Sequence, residues 1–354
     1  MRRTWITVVA AFTLASCNDS VVGPTDHPLD PATSAALIAR GFDPNTAKDY
    51  GDFVIVEGDI SLRKSDLRLS TTPRIDSRIR PEGGPRRQWA TWSQVYPYVA
   101  RQIRVDVSQL AAEPGWQQAA RGAMVAWSHI IGVDIAMVEG GPAQIVMQFG
   151  PCPDGCVAYA SFPSGGSPGQ SITIDRAYDS QSDAMKQAFV THELGHTLGL
   201  RHTDLVPNNE STSGAFRVGY TPDYDPASIM NHAVGAGNSI LSPRDSTAAR
   251  RLYPVTVQNV QVTGYPTALA WDPVPGVVRY DIYYRYFEYT YDQDGTPSTQ
   301  ENILSVGSTT GTTFYHGESY TGNASCDTEY YVIGVFPDGP VTIKGWSGPV
   351  AVCP

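Results

Sequence analysis

The feature that most constrains this chain is a set of three histidines, His192, His196 and His202, with Gly199 between the last two. Histidines four residues apart on a helix lie on one face about one turn apart, so their imidazoles can bind one ion. A catalytic zinc site needs three protein ligands and an open position, and His202 is placed to supply the third ligand. Gly199 can adopt the left-handed conformation that ends a helix and turns the chain back. The pattern therefore predicts a helix and a returning segment that meet at one Zn²⁺ ion.

Glu193 lies between the two helical histidines but points to a different azimuth of the helix. It can therefore face the open coordination position instead of binding the metal. A carboxylate there can act as a general base that takes a proton from a zinc-bound water and passes it to a departing amine, as amide hydrolysis requires. We predict Glu193 as the catalytic base. Histidines buried on a helix for packing alone are the alternative.

The spacing of these residues resembles the long zinc signature of the metzincin metallopeptidases, which places the first two histidines on a helix. The run from His192 to Asp204 is most similar to the bacterial dual-action HEIGH metallopeptidases, with Leu194 in place of the isoleucine that names them. Downstream, Ser228-Ile229-Met230 resembles the Met-turn of metzincins. The resemblance implies a zinc endopeptidase that acts on protein or peptide substrates, with Met230 forming a hydrophobic floor beneath the ligands.

Two further residues follow from a comparison with astacins. The run Val56-Glu57-Gly58-Asp59-Ile60 resembles the astacin pro-segment motif, which implies that Asp59 is a latency switch in the open position of the zinc. A plain Gly-Asp turn is the alternative. Astacins carry a tyrosine two residues after the Met-turn methionine, and this chain departs from them with His232. His232 could donate to the oxyanion or approach the metal, or it could face solvent from a loop.

Substrates of metzincins add as an extra strand to a sheet edge above the zinc helix. The stretch 157–162 alternates as a strand does, and we predict Ala158, Tyr159 and Ala160 as the substrate-binding edge strand. A plain sheet edge with no substrate is equally consistent with this pattern.

The N-terminus has the pattern of an export signal. Two arginines follow Met1, and the apolar run at 5–16 is too short to span a bilayer as a mature helix. The run ends in Leu14-Ala15-Ser16-Cys17, which resembles the lipobox of bacterial lipoproteins and implies a lipid anchor on Cys17. We therefore expect an exported lipoprotein that is attached to a membrane of the bacterial cell envelope or surface, or released from it. An ordinary signal peptide is the alternative.

The five cysteines support this assignment by parity, because lipidation of Cys17 leaves four for two disulfides in an oxidising compartment. Cys152 and Cys156 flank a stretch with Pro and Gly that can close a small loop. Cys326 and Cys353 then remain for each other. Metal binding by the Cys152–Cys156 pair lacks the further ligands that it would need.

Acidic residues outnumber basic ones, 35 to 25, and the net charge is −10. This balance argues against a nucleic-acid partner. Three acidic residues of the loop after the zinc helix, Asp204, Asp223 and Asp225, could bind calcium, but no regular ligand spacing supports a calcium site.

Changes in composition and hydrophobic periodicity along the chain indicate four parts. They are a lipoprotein signal peptide at 1–17, a pro-segment or linker at 18–88, a zinc protease domain at 89–254 and an all-β sandwich at 255–354. We expect an α+β domain with a mixed twisted sheet, a zinc helix at 182–199, a long loop at 203–240 and a last helix with Ser242 as its N-cap. The sandwich, with period-two strands rich in tyrosine, resembles a fibronectin type III domain.

A function from another class is also compatible with this organisation. The chain could be a surface-binding lipoprotein whose zinc site is vestigial and whose sandwich mediates adhesion. Against this alternative, each position that the zinc chemistry needs is filled, including the base Glu193.

Overall fold

A computed structural model describes residues 28–68, 86–152, 155–212, 214–219, 221, 225–235, 240–263, 267–291, 294, 297–316, 328–337, 339 and 342–350. The predicted signal peptide with Cys17, the pair Cys326 and Cys353, and Asp223 lie outside these residues. Within the described ranges, no helix has the length and apolar character to cross a membrane.

Residues 28–68, called the N-terminal segment below, contain two α-helices and three strands. They are α1 (Pro31–Ala39), β1 (Lys48–Asp49), β2 (Phe53–Val56), β3 (Ile60–Arg63) and α2 (Lys64–Arg68). Their apolar side chains form a small core that includes Leu37, Phe42, Val54 and Ile60, and Phe162 from the following part of the chain joins it. Its short apolar runs are therefore buried together and against a neighbouring strand, and the assignment as a pro-segment or linker stays a prediction.

A mixed sheet of eight strands is the largest element of the fold. After β1, β2 and β3 it contains β5 (Ile103–Asp106), β6 (Ile135–Val138), β7 (Ile145–Phe149), β8 (Ala158–Ser161) and β9 (Ser171–Ile174). The strand order is β1-β2-β3-β8-β9-β7-β5-β6. Strand β3 pairs with β8 in parallel, with Ile60 opposite Ala160 and Ser61 opposite Ser161.

The predicted edge strand therefore has a different place in the full chain. Strand β8, which contains Ala158, Tyr159 and Ala160, is interior because β3 of the N-terminal segment covers its outer side. It is an edge only among the strands that follow residue 86. The local alternation of residues 157–162 could not reveal this, since the covering strand comes from a distant part of the sequence.

Four helices follow the N-terminal segment along the chain. They are α3 (Pro97–Ala100), α4 (Pro114–Ser128), α5 (Asp183–Thr197) and α6 (Pro243–Leu252). Helix α5 begins at the N-cap Ser182, whose hydroxyl accepts a hydrogen bond from the Met185 amide. Helix α4 packs on it, and the Trp127 indole donates to the Thr191 carbonyl oxygen at 2.9 Å. The predicted zinc helix thus lies in the main core, with its second half buried.

The loop predicted at 203–240 contains a strand. Strand β10 (Ala215–Gly219) pairs in antiparallel fashion with β4 (Arg86–Thr91), which begins before residue 89, the predicted start of the protease domain. The two strands also place Phe216 against Trp92, with ring centroids 4.7 Å apart. The expectation of an unstructured loop was wrong because this strand is short and pairs with residues far away in sequence.

The C-terminal part of the chain forms two further β-sheets. One has the strands β11 (Gln261–Thr263), β12 (Thr267–Ala270) and β15 (Thr313–His316), and the other has β13 (Arg279–Tyr291), β14 (Pro297–Thr309), β16 (Thr328–Val335) and β17 (Gly345–Val350). Trp271, Tyr280, Ile282 and Val332 are buried in their common core. The predicted all-β character is confirmed, whereas the resemblance to fibronectin type III stays a prediction. Strands β14 and β17 were not predicted.

Candidate metal centre

The end of helix α5 and the chain after it bring the three histidines together. His192 and His196 lie one turn apart on α5, with ring centroids 4.6 Å apart. The helix ends at Thr197, and Gly199 has the positive φ of 91° that the sequence predicted. The chain then pairs with β4, because the Arg201 amide donates to the Trp89 carbonyl oxygen at 2.9 Å. This return places the His202 ring centroid 5.3 Å from that of His192 and 5.0 Å from that of His196.

Each histidine is oriented by a hydrogen bond from its Nδ1 atom. His192 Nδ1 donates to the Ile229 carbonyl oxygen at 2.7 Å, and His196 Nδ1 donates to that of Leu200 at 2.8 Å. His202 Nδ1 lies 2.8 Å from Glu210 Oε1. A carbonyl oxygen can only accept, so the proton of a neutral ring must be on Nδ1 and the lone pair on Nε2. The Nε2 atoms of His192 and His196 therefore have the form that a metal ion requires, and Nε2 of His202 lies 3.2 Å from Asp59 Oδ2.

Asp59 brings a carboxylate to the same point. It lies in the turn between β2 and β3, and its oxygens are 3.4 Å from His192 Nε2, 3.6 Å from His196 Nε2 and 3.2 Å from His202 Nε2. Donor atoms of these four residues all lie within 4.8 Å of one another. The Nε2 atoms of His192 and His196 are buried without a hydrogen-bond partner among the described residues. Three imidazole nitrogens and one carboxylate oxygen fit a tetrahedral Zn²⁺ ion.

The charges of the protein groups favour a cation at this point. Burial favours the neutral form of Asp59, but the histidines around it hold its pKa well below the usual range. Burial and the neighbouring His192 lower the pKa of His196 to about 3. For His202, burial opposes the charged form, but Asp59 and Glu210 raise its pKa well above the usual value. The buried carboxylate thus requires a positive partner among the rings, which is a proton on His202 or a bound metal ion.

Glu193 is buried beside this cluster, with 4% of its surface exposed. Burial raises its pKa well above the usual value, and the negative charge of Asp59 raises it further. Its Oε2 atom is buried and has no hydrogen-bond partner in the described part of the chain. The Glu193 carboxylate therefore lies beside the histidine cluster, and its Oε2 atom is not used in a hydrogen bond that would stabilise the fold.

Met230 packs directly against the zinc helix. It is 1% exposed, and a Cβ atom placed on Gly195 would lie 2.3 Å from its sulfur. The Met230 carbonyl oxygen also accepts a hydrogen bond from the Thr203 amide at 2.7 Å, next to His202. The methionine thus lies against the helical turn between His192 and His196, in the place that a floor beneath the ligands requires.

A buried carboxylate at the start of helix α6 holds the turn that contains Met230. Asp245 accepts hydrogen bonds from the Ser228 hydroxyl at 2.6 Å and from the Ile229 amide at 3.0 Å. It also accepts from the amide of the N-cap Ser242 at 2.8 Å, which completes a capping box. Because the Ile229 carbonyl oxygen orients His192, this cap is linked to the position of a metal ligand. The sequence predicted the start of this helix, but it did not predict that Asp245 also holds the turn that contains Met230.

Glu210 is a residue of this centre that sequence reasoning missed. It accepts hydrogen bonds from Nδ1 of His202 and lies 3.2 Å from Nδ1 of His232. Although burial opposes this, the two histidines lower the pKa of Glu210 to about 2. A metal-bound histidine commonly donates its second N–H to a carboxylate, so the acidic residues after His202 were the signal to search.

His232 lies outside the four converging donors. Its ring centroid is 5.0 Å from that of His202, its side chain is 45% exposed, and its hydrogen bond with Glu210 raises its pKa. A role at the oxyanion stays a prediction.

The remaining predicted residues have other contacts. Cys152 and Cys156 are joined in a disulfide. Asp204 accepts from the His232 amide at 2.8 Å, and Asp225 accepts from the Ser242 hydroxyl at 2.6 Å. Both carboxylates thus have hydrogen-bonding roles in the loop, and calcium binding gains no support from them.

The contact between Gly195 and Met230 predicts the effect of a methyl group on the helix. We expect Gly195→Ala to lower the free energy of unfolding by about 1–2 kcal/mol, because the overlap with Met230 outweighs the gain in helix propensity. Gly122→Ala on α4 is the matched control, since the added atom meets only the end of the flexible Gln187 side chain. Urea unfolding of both variants checks this, and equal stability of the two would contradict the close contact.

The hydrogen bond from His202 to Glu210 predicts an effect on metal affinity. Glu210→Gln keeps an acceptor but removes the negative charge, so we expect zinc affinity to fall by about 10-fold or more. Competition with a chromophoric chelator measures this affinity. Glu139→Gln, at an exposed position, is the control. An affinity equal to that of the wild type would show that Glu210 does not orient the ligand.

Parts of this chain are similar to known proteins. Two solved structures, titled "Structure of Myroilysin" and "Crystal structure of myroilysin", share 19% and 21% sequence identity with this chain. Each match covers 46% of this chain, and 92% and 89% of the respective other chain, with TM-scores of 0.33 and 0.32. The comparison with curated proteins found no match. The family model described as "Dual-action HEIGH metallo-peptidase" matches residues 82–253. Residues 82–253 of this chain are therefore similar to the dual-action HEIGH metallopeptidase family, which supports a metallopeptidase.

Proposed function

We propose that this chain is a zinc-dependent endopeptidase of the metzincin type, with His192, His196 and His202 as metal ligands and Glu193 as general base. The observation that carries the proposal is the orientation of the three rings. Each Nδ1 atom is used in a hydrogen bond, and the three Nε2 atoms converge on one point with the Asp59 carboxylate. Such an arrangement costs stability in a protein with no ion to bind, because buried nitrogen atoms are left without partners.

The residues around this point have separate roles in peptide hydrolysis. A bound zinc ion polarises the scissile carbonyl and lowers the pKa of water to roughly 7. Glu193, one residue from the first ligand, takes the proton of the attacking water and delivers it to the leaving nitrogen. Burial raises the pKa of Glu193, which favours the transfer of a proton to this carboxylate. Met230 and the Asp245 cap hold the three histidine rings in position.

The full chain is the latent form of this enzyme in our proposal. The Asp59 carboxylate lies where the fourth zinc ligand belongs, within 3.6 Å of all three Nε2 atoms. Strand β3 pairs with β8, the strand to which an extended substrate would add. The N-terminal segment therefore blocks both the metal and the strand, and its release frees them together.

The remaining parts of the proposal rest on the sequence. Export as a lipoprotein anchored through Cys17 would place the enzyme in the cell envelope, among extracellular protein substrates. The C-terminal β-sheets, which resemble a fibronectin type III domain in sequence, would tether or orient the catalytic part.

The role of Glu193 is tested with the chain freed from its N-terminal segment. We expect Glu193→Gln to reduce casein hydrolysis by about 10²- to 10⁴-fold while zinc content stays at one ion per chain. A chelator should abolish the activity, and added zinc should restore it. Glu139→Gln is the control for loss of an acidic residue at the surface. If the Glu193→Gln variant cleaves casein as fast as the wild type, the proposed mechanism fails.

The latency of the full chain is tested through Asp59. We expect Asp59→Ala in the unprocessed chain to raise peptidase activity severalfold, since the carboxylate no longer competes for the open metal position. Mass spectrometry at the same time points shows whether the chain is still intact. Asp52→Ala, at an exposed position in the same segment, should have no effect. An unchanged rate in Asp59→Ala would remove the latency hypothesis.

A further inference from the structure

Arg201 is a buried cation next to the metal ligand His202, and its side chain contacts the N-terminal segment. It is 1% exposed. Its Nε donates to Glu57 Oε2 at 3.2 Å, and a second nitrogen of the same guanidinium pairs with the other carboxylate oxygen. The guanidinium also donates to the Gly41 carbonyl oxygen and lies 4.6 Å from the centre of the Phe42 ring. In the described part of the chain, every one of these side-chain contacts belongs to residues 28–68.

The backbone of Arg201, in contrast, is held by the peptidase domain. Its amide donates to the Trp89 carbonyl oxygen at 2.9 Å, and the preceding Leu200 forms a bridge with Ala90. The carboxylate of the domain that acts on its charge is that of Glu210, which already accepts hydrogen bonds from His202 and His232. Release of the N-terminal segment therefore leaves Arg201 with its backbone still held next to His202, and its guanidinium without the carboxylate that neutralised it.

Glu57 shows what kind of group fits against this arginine. It is buried, and its backbone has a φ of 55°, a region that residues other than glycine rarely adopt. The segment thus accepts an unfavourable backbone conformation at the residue that pairs with Arg201. Glu57 lies two positions before Asp59, so one short stretch places one carboxylate at the arginine and another at the metal.

We infer that Arg201 forms a specificity subsite of the activated enzyme that binds an acidic side chain of the peptide substrate. This inference rests on the proposed function and names the substrate class. Arginine binds carboxylates through two parallel hydrogen bonds, as it pairs with Glu57 here, so an acidic side chain fits this position. Glu57 at the arginine lies two positions from Asp59 at the histidines, so we expect the preferred residue within about three positions of the cleaved bond.

The inference is tested on the full chain carrying an engineered cleavage site at 69–85, cut to release the N-terminal segment. Matched pairs of fluorogenic peptides differ only by Glu or Gln at one position around the cleaved bond. We expect kcat/KM to favour Glu by about 10-fold or more at one of these positions. Arg201→Gln should bring this ratio close to one, whereas Arg201→Lys should retain part of the preference. Arg217→Gln, an exposed arginine on the neighbouring strand β10, should behave as the wild type.

The failures of the two proposals can be told apart. Wild-type enzyme that cleaves the Glu and Gln peptides equally at every position overturns the subsite and leaves the peptidase activity in place. The comparison of peptides on the wild type needs no variant, so a folding defect of Arg201→Gln does not affect it. If no peptide is cleaved, fluorescence anisotropy with the zinc-loaded chain, freed from the segment, compares the Kd values of the same pairs. Tighter binding of the Glu peptide, lost in Arg201→Gln, supports the subsite, and equal Kd values overturn it.

Discussion

The hydrogen bonds that the three histidines donate from Nδ1 are the constraint on which the rest of this structure depends. Each bond fixes both the direction of a ring and the nitrogen that keeps its lone pair. The acceptors come from three different places, which are the Met230 turn through Ile229, the chain after Gly199 through Leu200, and the loop carboxylate of Glu210. The Asp245 cap of helix α6 and the pairing of residues 199–201 with β4 serve to position these acceptors.

The same surfaces explain how a folded segment can keep such a site latent. The N-terminal segment contacts the domain through Asp59 at the histidines, β3 at β8 and Glu57 at Arg201. Because the three contacts belong to one chain, binding of one raises the effective concentration of the others. A substrate, in contrast, is a separate molecule that has to bind the same elements from solution. In the latent form that we propose, the segment competes well without any single contact having to be strong, and its release would open all three positions in one event.

The parts of this fold that the sequence predicted are those encoded locally. The zinc helix, the positive φ at Gly199 and the cap at Ser242 each follow from a few adjacent residues whose preferences agree. The missed parts depend on distant partners. Strand β10 forms only through its pairing with β4, and residues 28–68 bury their short apolar runs partly against Phe162. Glu210 was one of several acidic residues after His202, and only the folded loop shows which of them reaches that ring.

The central claim, that three imidazoles and the Asp59 carboxylate hold one zinc ion in the full chain, is tested most directly by X-ray absorption spectroscopy at the zinc edge. For the intact protein loaded with one equivalent of zinc, the account predicts three imidazole nitrogens at about 2.0–2.1 Å and one carboxylate oxygen at about 2.0–2.2 Å. In Asp59→Ala, the imidazole signal should remain and the carboxylate should be replaced by water. A spectrum with sulfur ligands, or with fewer than three imidazoles, would contradict the account.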